Sequence, residues 1–274
     1  MTRLLFIGDV VGRPGRNLIR RGLAPLVAHR QIDLVIANVE NAAAGFGVTP
    51  DIADELLAAG VQVMTGGNHI WDKKEILPYI GEQSRLLRPA NFPDGAPGRG
   101  RCVVRTASGV AVAVINAMGR VFMTAIDDPF RVVVNEIEAV RAEASIVFVD
   151  FHAEATSEKV AMGWHLDGRA TAVVGTHTHV QTADERVLPR GTAYITDVGM
   201  TGAHDSVIGV ERAPVLARFL TGLPQRFETA SENPRLHGVI VEADEDTGRA
   251  RSIERVSLSA DQIETLVATA VASR

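Results

Sequence analysis

The chain has 274 residues, of which 46% are hydrophobic, with a formal net charge of −5 and a single cysteine, Cys102. That apolar content is enough for a sizeable core, while the absence of any Lys/Arg run argues against stable binding of duplex nucleic acid. One cysteine excludes an internal disulfide and suits a reducing compartment.

Leu4-Leu5-Phe6-Ile7 reads as a buried first strand. Gly8-Asp9 ends it too soon for a signal sequence, and no later stretch approaches the ~20 apolar residues of a membrane span. The expectation is therefore a soluble, cytoplasmic protein without a membrane partner. Gly12-Arg13-Pro14-Gly15-Arg16 resembles a phosphate loop but lacks the Lys-Ser/Thr that would hold a nucleotide. A helix is expected over 15–29, with Leu18, Leu23, Leu26 and Val27 as its apolar stripe. Leu34–Ala37 is a second strand, ending in Asn38-Val39-Glu40-Asn41. After the Gly45-Phe46-Gly47 loop, Thr49 is the N-cap and Pro50 the first residue of a helix that stops at Gly60.

Val61–Met64 is a third strand, ending in Gly66-Gly67-Asn68-His69, and a helix is expected from Trp71 to Tyr79. This order of strands and helices predicts an α/β fold. A hairpin over 101–105 and 110–115 makes the sheet mixed, and Asn116-Ala117-Met118-Gly119 closes it. A helix from Asp128-Pro129 to Ala144 leads to the strand that ends in Asp150-Phe151-His152. A helix over 156–165 leads to Ala172–Val174 and then Gly175-Thr176-His177-Thr178-His179. Thr192–Ile195 is a further strand, followed by Asp197-Val198-Gly199. A hairpin from Gly238 to Leu258 and a helix from Ala260 complete the chain, and no linker divides residues 1–274 into two domains.

Five segments thus end an apolar strand with a candidate ligand: Asp9, Glu40-Asn41, Asn68-His69, His152, and His177 with His179. Open α/β sheets bind ligands beyond the carboxyl ends of their strands. In extended backbone, residues two apart share a face, so His177 and His179 are expected to converge on one point. Six or seven ligands exceed the need of one tetrahedral zinc, and their mix of carboxylate, amide oxygen and imidazole suits Mn, Fe or Zn. Two divalent ions bridged by one carboxylate are expected, about 3.5–4 Å apart, able to bind phosphate and lower the pKa of a bridging water. Phosphoester hydrolysis is the matching reaction class.

These segments, in this order from Leu4 to Met200, resemble the motif series of the calcineurin-like metallophosphoesterases. The forms Gly8-Asp9-Val10-Val11-Gly12, Asn38-Val39-Glu40-Asn41 and Thr196-Asp197-Val198-Gly199-Met200-Thr201-Gly202 are similar to its YmdB-like branch, 2′,3′-cyclic-nucleotide 2′-phosphodiesterases. The resemblance implies two packed mixed β-sheets flanked by helices, in four layers (α/β/β/α). It implies that Asp9 and His179 hold the first metal, that Glu40 bridges, and that Asn68, His152 and His177 hold the second. His69 matches the histidine that contacts phosphate and protonates the leaving oxygen. The wider superfamily has a histidine where Val11 stands, and Asn41 is expected to fill that place.

Asp197 and Glu154 are expected to hold ligand imidazoles, and Arg13, Asn116 and Met118 to line the substrate pocket. The implied substrate is a small cyclic phosphodiester, attacked in line by a metal-bridging hydroxide. A phosphomonoesterase on the same centre and a nucleotide-binding regulator without turnover are the competing readings. An amidohydrolase barrel also uses His-x-His, but on its first strand. A homo-oligomer is compatible with all of these.

Overall fold

The computed structural model describes residues 1–272. In chain order its first half comprises β1 (Thr2–Ile7), β2 (Asp9–Val10), α1 (Gly12–Arg30), β3 (Leu34–Asn38), α2 (Pro50–Ala58) and β4 (Val63–Thr65). Next come α3 (Ile76–Glu82), β5 (Arg101–Arg105), β6 (Ala111–Met118), α4 (Pro129–Val140), β7 (Ile146–His152), α5 (Thr156–His165) and β8 (Ala172–Thr176). The remainder is β9 (Arg186–Val187), β10 (Ala193–Ile195), β11 (Met200–Ala203), α6 (Arg212–Thr221), β12 (Pro234–Ala243), β13 (Ala250–Ser259) and α7 (Ala260–Ala272).

The strands form two mixed sheets. One runs β2-β11-β12-β1-β3-β4, with β13 also paired to β12; the other runs β5-β6-β7-β8-β10-β9. Strand alternation explains how they stack. Leu4, Phe6, Leu34 and Ile36 point between the sheets, where Phe6 stacks on Phe148 with centroids 5.3 Å apart. Their neighbours Leu5, Ile7, Val35 and Ala37 face the opposite way, into a core completed by Leu18, Leu23 and Leu26 of α1 and Ile263 of α7. On the far side of the second sheet, Val133 and Ile137 of α4 and Met162 of α5 cover Ile115, Val149 and Val173. The result is the expected four-layer α/β/β/α arrangement.

Parallel pairing of β1 with β3 and of β3 with β4, and of β6 with β7 and of β7 with β8, sends several carboxyl strand ends to one edge of the sandwich. Several local expectations are corrected. The first helix, expected from Gly15, already starts at Gly12, so Pro14 lies in its first turn, where it is tolerated, and a side chain at Gly15 would meet the Thr201 carbonyl. Residues 71–75 form turns, so that helix starts at Ile76. β6 runs on through Asn116 and Met118 instead of closing before them. α6 carries no sharp cap in the sequence and was not expected; its N-cap Glu211 makes no side-chain hydrogen bond.

Candidate metal centre

The centre is built where strands of both sheets run out. Asp9 opens β2, one residue beyond β1, and is buried, as are Glu40 beyond β3 and His152 at the end of β7. His152 Nε2 lies 3.0 Å from Glu40 Oε1, 3.0 Å from Asn68 Oδ1 and 3.1 Å from His177 Nδ1. One ring nitrogen holds at most one proton, which cannot serve three acceptors. A cation among the four atoms would satisfy them together. The same need appears in three buried oxygens without a hydrogen-bond partner: Asp9 Oδ1, Glu40 Oε1 and Asn41 Oδ1. Glu40 Oε1 is close to His152 but not aligned for a hydrogen bond, so proximity alone does not relieve it. The donor set therefore fits a metal, with Glu40, His152 and His177 presenting ligand atoms within 4.8 Å of one another.

The tautomers are set from behind. Thr176 Oγ1 donates to Asp150 Oδ1 at 2.7 Å, so it accepts from His152 Nδ1–H at 2.9 Å, leaving Nε2 for the centre. Glu154 Oε2, 3.1 Å from His177 Nε2, likewise leaves Nδ1 facing inward. His179 Nδ1 donates to the Ile208 carbonyl at 2.9 Å, and its Nε2 lies 3.9 Å from Asp9 Oδ1. Partners of this kind are what orient metal-binding imidazoles.

The two histidines of the His-x-His do not converge by strand alternation. β8 ends at Thr176, and His177 and His179 take φ of 93° and 64°, a left-handed conformation rare for such residues. They reach different places: His177 joins His152 and Glu40, whereas His179 faces Asp9. Thr178 between them is clamped by Asp197, which accepts from its hydroxyl at 2.5 Å and its N–H at 3.2 Å. Asp197 also pairs with buried Lys159 at 2.8 Å. It thus holds the loop that carries the imidazoles, not an imidazole itself.

Charge follows the same geometry. Burial opposes charge on His152, but Glu40 and then Asp9 outweigh it and raise the ring to about 9. Burial would raise Glu40, yet His152 overrides it and holds the carboxyl at about 2. Burial and the neighbouring His152 pull His177 down to about 3. Burial raises Asp9.

His69 stands beside the cluster. Its backbone N–H donates to Glu40 Oε2 at 3.0 Å, and its Nδ1 is 2.8 Å from Asp72 Oδ2, leaving Nε2 for a ligand. A cavity of about 380 Å³ opens here, shared by Glu40, Asn41, His69, His177 and His179. Arg13 lies elsewhere, on a cavity of about 550 Å³ that contains none of the clustered side chains. Asn116 and Met118 are fully buried within β6 and do not reach either cavity; Asn116 Oδ1 instead accepts from the Gly66 N–H.

The sequence reading missed Asp150, which accepts from Asn38, Thr65 and Thr176 beneath the centre. A carboxylate inside the run Ile146–Phe151 was the available signal, since such a group needs buried partners. The reading also missed Arg218, Phe219 and Phe227 on the far wall of the cavity.

Two mixed sheets carrying this ligand set at their strand ends define a metallophosphoesterase-type protein. Residues 5–256 match the family model described as YmdB-like protein. A 2′,3′-cyclic-nucleotide 2′-phosphodiesterase of Bacillus subtilis is 49% identical over 95% of this chain and 98% of its own. Two crystal structures superpose with a TM-score of 0.88. One, a hypothetical protein from Thermus thermophilus, is 44% identical over 94% of this chain and 99% of its own. The other, a novel phosphatase from Mycoplasma pneumoniae, is 36% identical over 94% of this chain and 93% of its own. The chain belongs to the YmdB-like family.

Proposed function

We propose that this protein is a metal-dependent phosphodiesterase that opens 2′,3′-cyclic nucleotides at the 2′ oxygen. The observation that carries the reading is the crowding of Glu40 Oε1, Asn68 Oδ1 and His177 Nδ1 around His152 Nε2, an arrangement made for a cation. The activity named for the Bacillus subtilis relative supplies the substrate class. The proposed complement is two divalent transition ions, Fe or Mn suiting the mixed donors best and Zn also compatible. One would be held by Asp9, His179 and Asn41, the other by Asn68, His152 and His177, with Glu40 between them. When bound, such ions polarise phosphoryl oxygens and acidify water.

The chain's own contribution is orientation and proton transfer. His69, its ring steadied by Asp72, delivers a proton from Nε2 to the departing 2′ oxygen as the P–O bond breaks. The water oxygen bonds to phosphorus, one of the water's protons returns to His69 Nε2, and a 3′-phosphate with a free 2′ hydroxyl remains. The cytoplasm is the proposed setting, where Cys102, its thiol pushed up to about 12 by burial, stays protonated.

Incubating metal-loaded protein with 2′,3′-cyclic AMP is expected to yield 3′-AMP, and chelator-stripped protein none. Cyclic AMP left intact while 3′-AMP is cleaved to adenosine would instead mark a phosphomonoesterase, and unconsumed but bound cyclic nucleotide a regulator.

Metal uptake should also depend on pH in a defined direction. In metal-free protein His152 is raised to about 9, so at neutral pH its ring carries a proton that a cation must displace. His177, lowered to about 3, has none to lose. Apparent affinity for Mn²⁺ is therefore expected to climb with pH until about 9 and then level off. The sign reverses for the stripped fold: the His152–Glu40 pair contributes fully below the ordinary histidine value and is lost as pH rises through about 9. Calorimetric titration at several pH values would check the first trend, and a pH-independent affinity would refute it.

A further inference from the structure

The cavity beside the centre has a far wall that chemistry at phosphorus does not use. Its lining joins Glu40, His69, His177 and His179 of the centre to Arg218 and Phe219 of α6 and to Phe227, with Ile208 linked to His179. Phe219 projects from α6 with 81% of its surface exposed. An aromatic ring left in water at the mouth of a polar centre favours a flat apolar partner. The Arg218 guanidinium is braced 5.4 Å from the centroid of Phe227, offering a second planar group.

The hydrogen-bonding capacity of this wall is small. Among the described residues from Val207 to Phe227 that line it, Arg218 is the one polar side chain, and the Ile208 carbonyl is already taken by His179 Nδ1. Beyond Glu40 and Asn41 of the centre, no amide, hydroxyl or carboxylate side chain among the described residues lines the cavity to read the edge of a base. The size is also suitable, since pockets for small molecules run from ~300 to ~1,000 Å³.

Resting on the phosphodiesterase reading, the geometry points to a nucleobase subsite formed by Phe219 and the braced Arg218. The phosphate sits at the Glu40–His177 end, and the base is held by its π face, not by its edge. Every base has such a face, so purine and pyrimidine cyclic nucleotides are accepted with little discrimination. Phe219 and Arg218 are then affinity determinants, and base identity is left unread.

Three substrates test this: 2′,3′-cyclic AMP, 2′,3′-cyclic CMP, and methyl ribofuranoside 2′,3′-cyclic phosphate, which has no base. Phe219→Ala removes an exposed side chain, so the core is untouched. It is expected to raise KM for both nucleotides on the order of 10-fold with kcat nearly unchanged, and to leave the methyl riboside unaffected. Arg218→Ala should act in the same direction. Wild-type kcat/KM should favour either nucleotide over the riboside and differ between the two nucleotides by less than about 10-fold.

Equal losses on all three substrates, no loss on the nucleotides, or a wild type that turns over the riboside as well as cyclic AMP would overturn the subsite while leaving the activity standing. Calorimetric binding of 3′-AMP to metal-loaded protein separates the two readings. Binding that weakens in Phe219→Ala, from a wild type that hydrolyses no cyclic phosphate, would support the subsite and reject the activity.

Discussion

Replacing His69 by alanine is expected to slow hydrolysis of 2′,3′-cyclic AMP by about 10²–10⁴-fold, the usual worth of a positioned general acid. Metal content and thermal stability should be unchanged. The substitution keeps the backbone N–H that donates to Glu40 Oε2 at 3.0 Å, so the cluster loses no hydrogen bond. What disappears is an imidazole held at Nδ1 by Asp72 and edge-on to Phe46, with centroids 5.0 Å apart. Opening a ribose cyclic phosphate expels an alkoxide, a poor leaving group that needs a proton. A nitrophenolate leaves without one, so a nitrophenyl diester should suffer a much smaller loss. Equal losses on both substrates would mean that His69 stabilises bound phosphate, and loss of a metal ion would make it a ligand.

A single methyl group at Gly67 should disable the centre without touching any ligand's identity. A Cβ there would lie 2.3 Å from His152 Cδ2, 2.4 Å from His152 Nε2 and 2.4 Å from Glu40 Oε2. Both neighbours are buried, at 0% and 1% exposure, and have no room to step aside. Misplacing reacting groups by about 1 Å costs about 10²-fold in rate, so Gly67→Ala should lose at least about that much, together with metal. Elemental analysis alongside a thermal melt would read this: a folded, metal-poor protein is expected. A fully loaded, active Gly67→Ala would place the working centre elsewhere.

Much of the candidate centre could be read because Asp9, Glu40, Asn68 and His152 each interrupt the end of an apolar run. The fold class was legible for the same reason, the runs themselves being strands. His177 and His179 were legible as residue types but not as geometry. Their positive φ values arise from a loop clamped by Asp197, a contact that no spacing rule reveals. Asp150 was hidden in plain apolar sequence, its partners Asn38 and Thr65 lying 112 and 85 residues away. Arg218 and Phe219 were missed because α6 lacks a capping side chain and leaves much of its apolar surface in water, so neither boundary nor periodicity announces it.

Asp150 ties the two halves of the sandwich together. Asn38 and Thr65 reach it from the first sheet, Thr176 and its own strand belong to the second, and burial lifts its carboxyl to about 6. Through Thr176 it also sets the ring nitrogen that His152 turns toward the centre. The candidate cation site draws on both layers, with Asp9 and Glu40 following strands of the first sheet and His152 ending a strand of the second. By mass action, a free ion at 100 times its dissociation constant would add ~2.7 kcal/mol to the assembled state. A divalent cation taken up by this cluster would then bear on durability as well as on chemistry, because it would tie the two layers together where Asp150 already does.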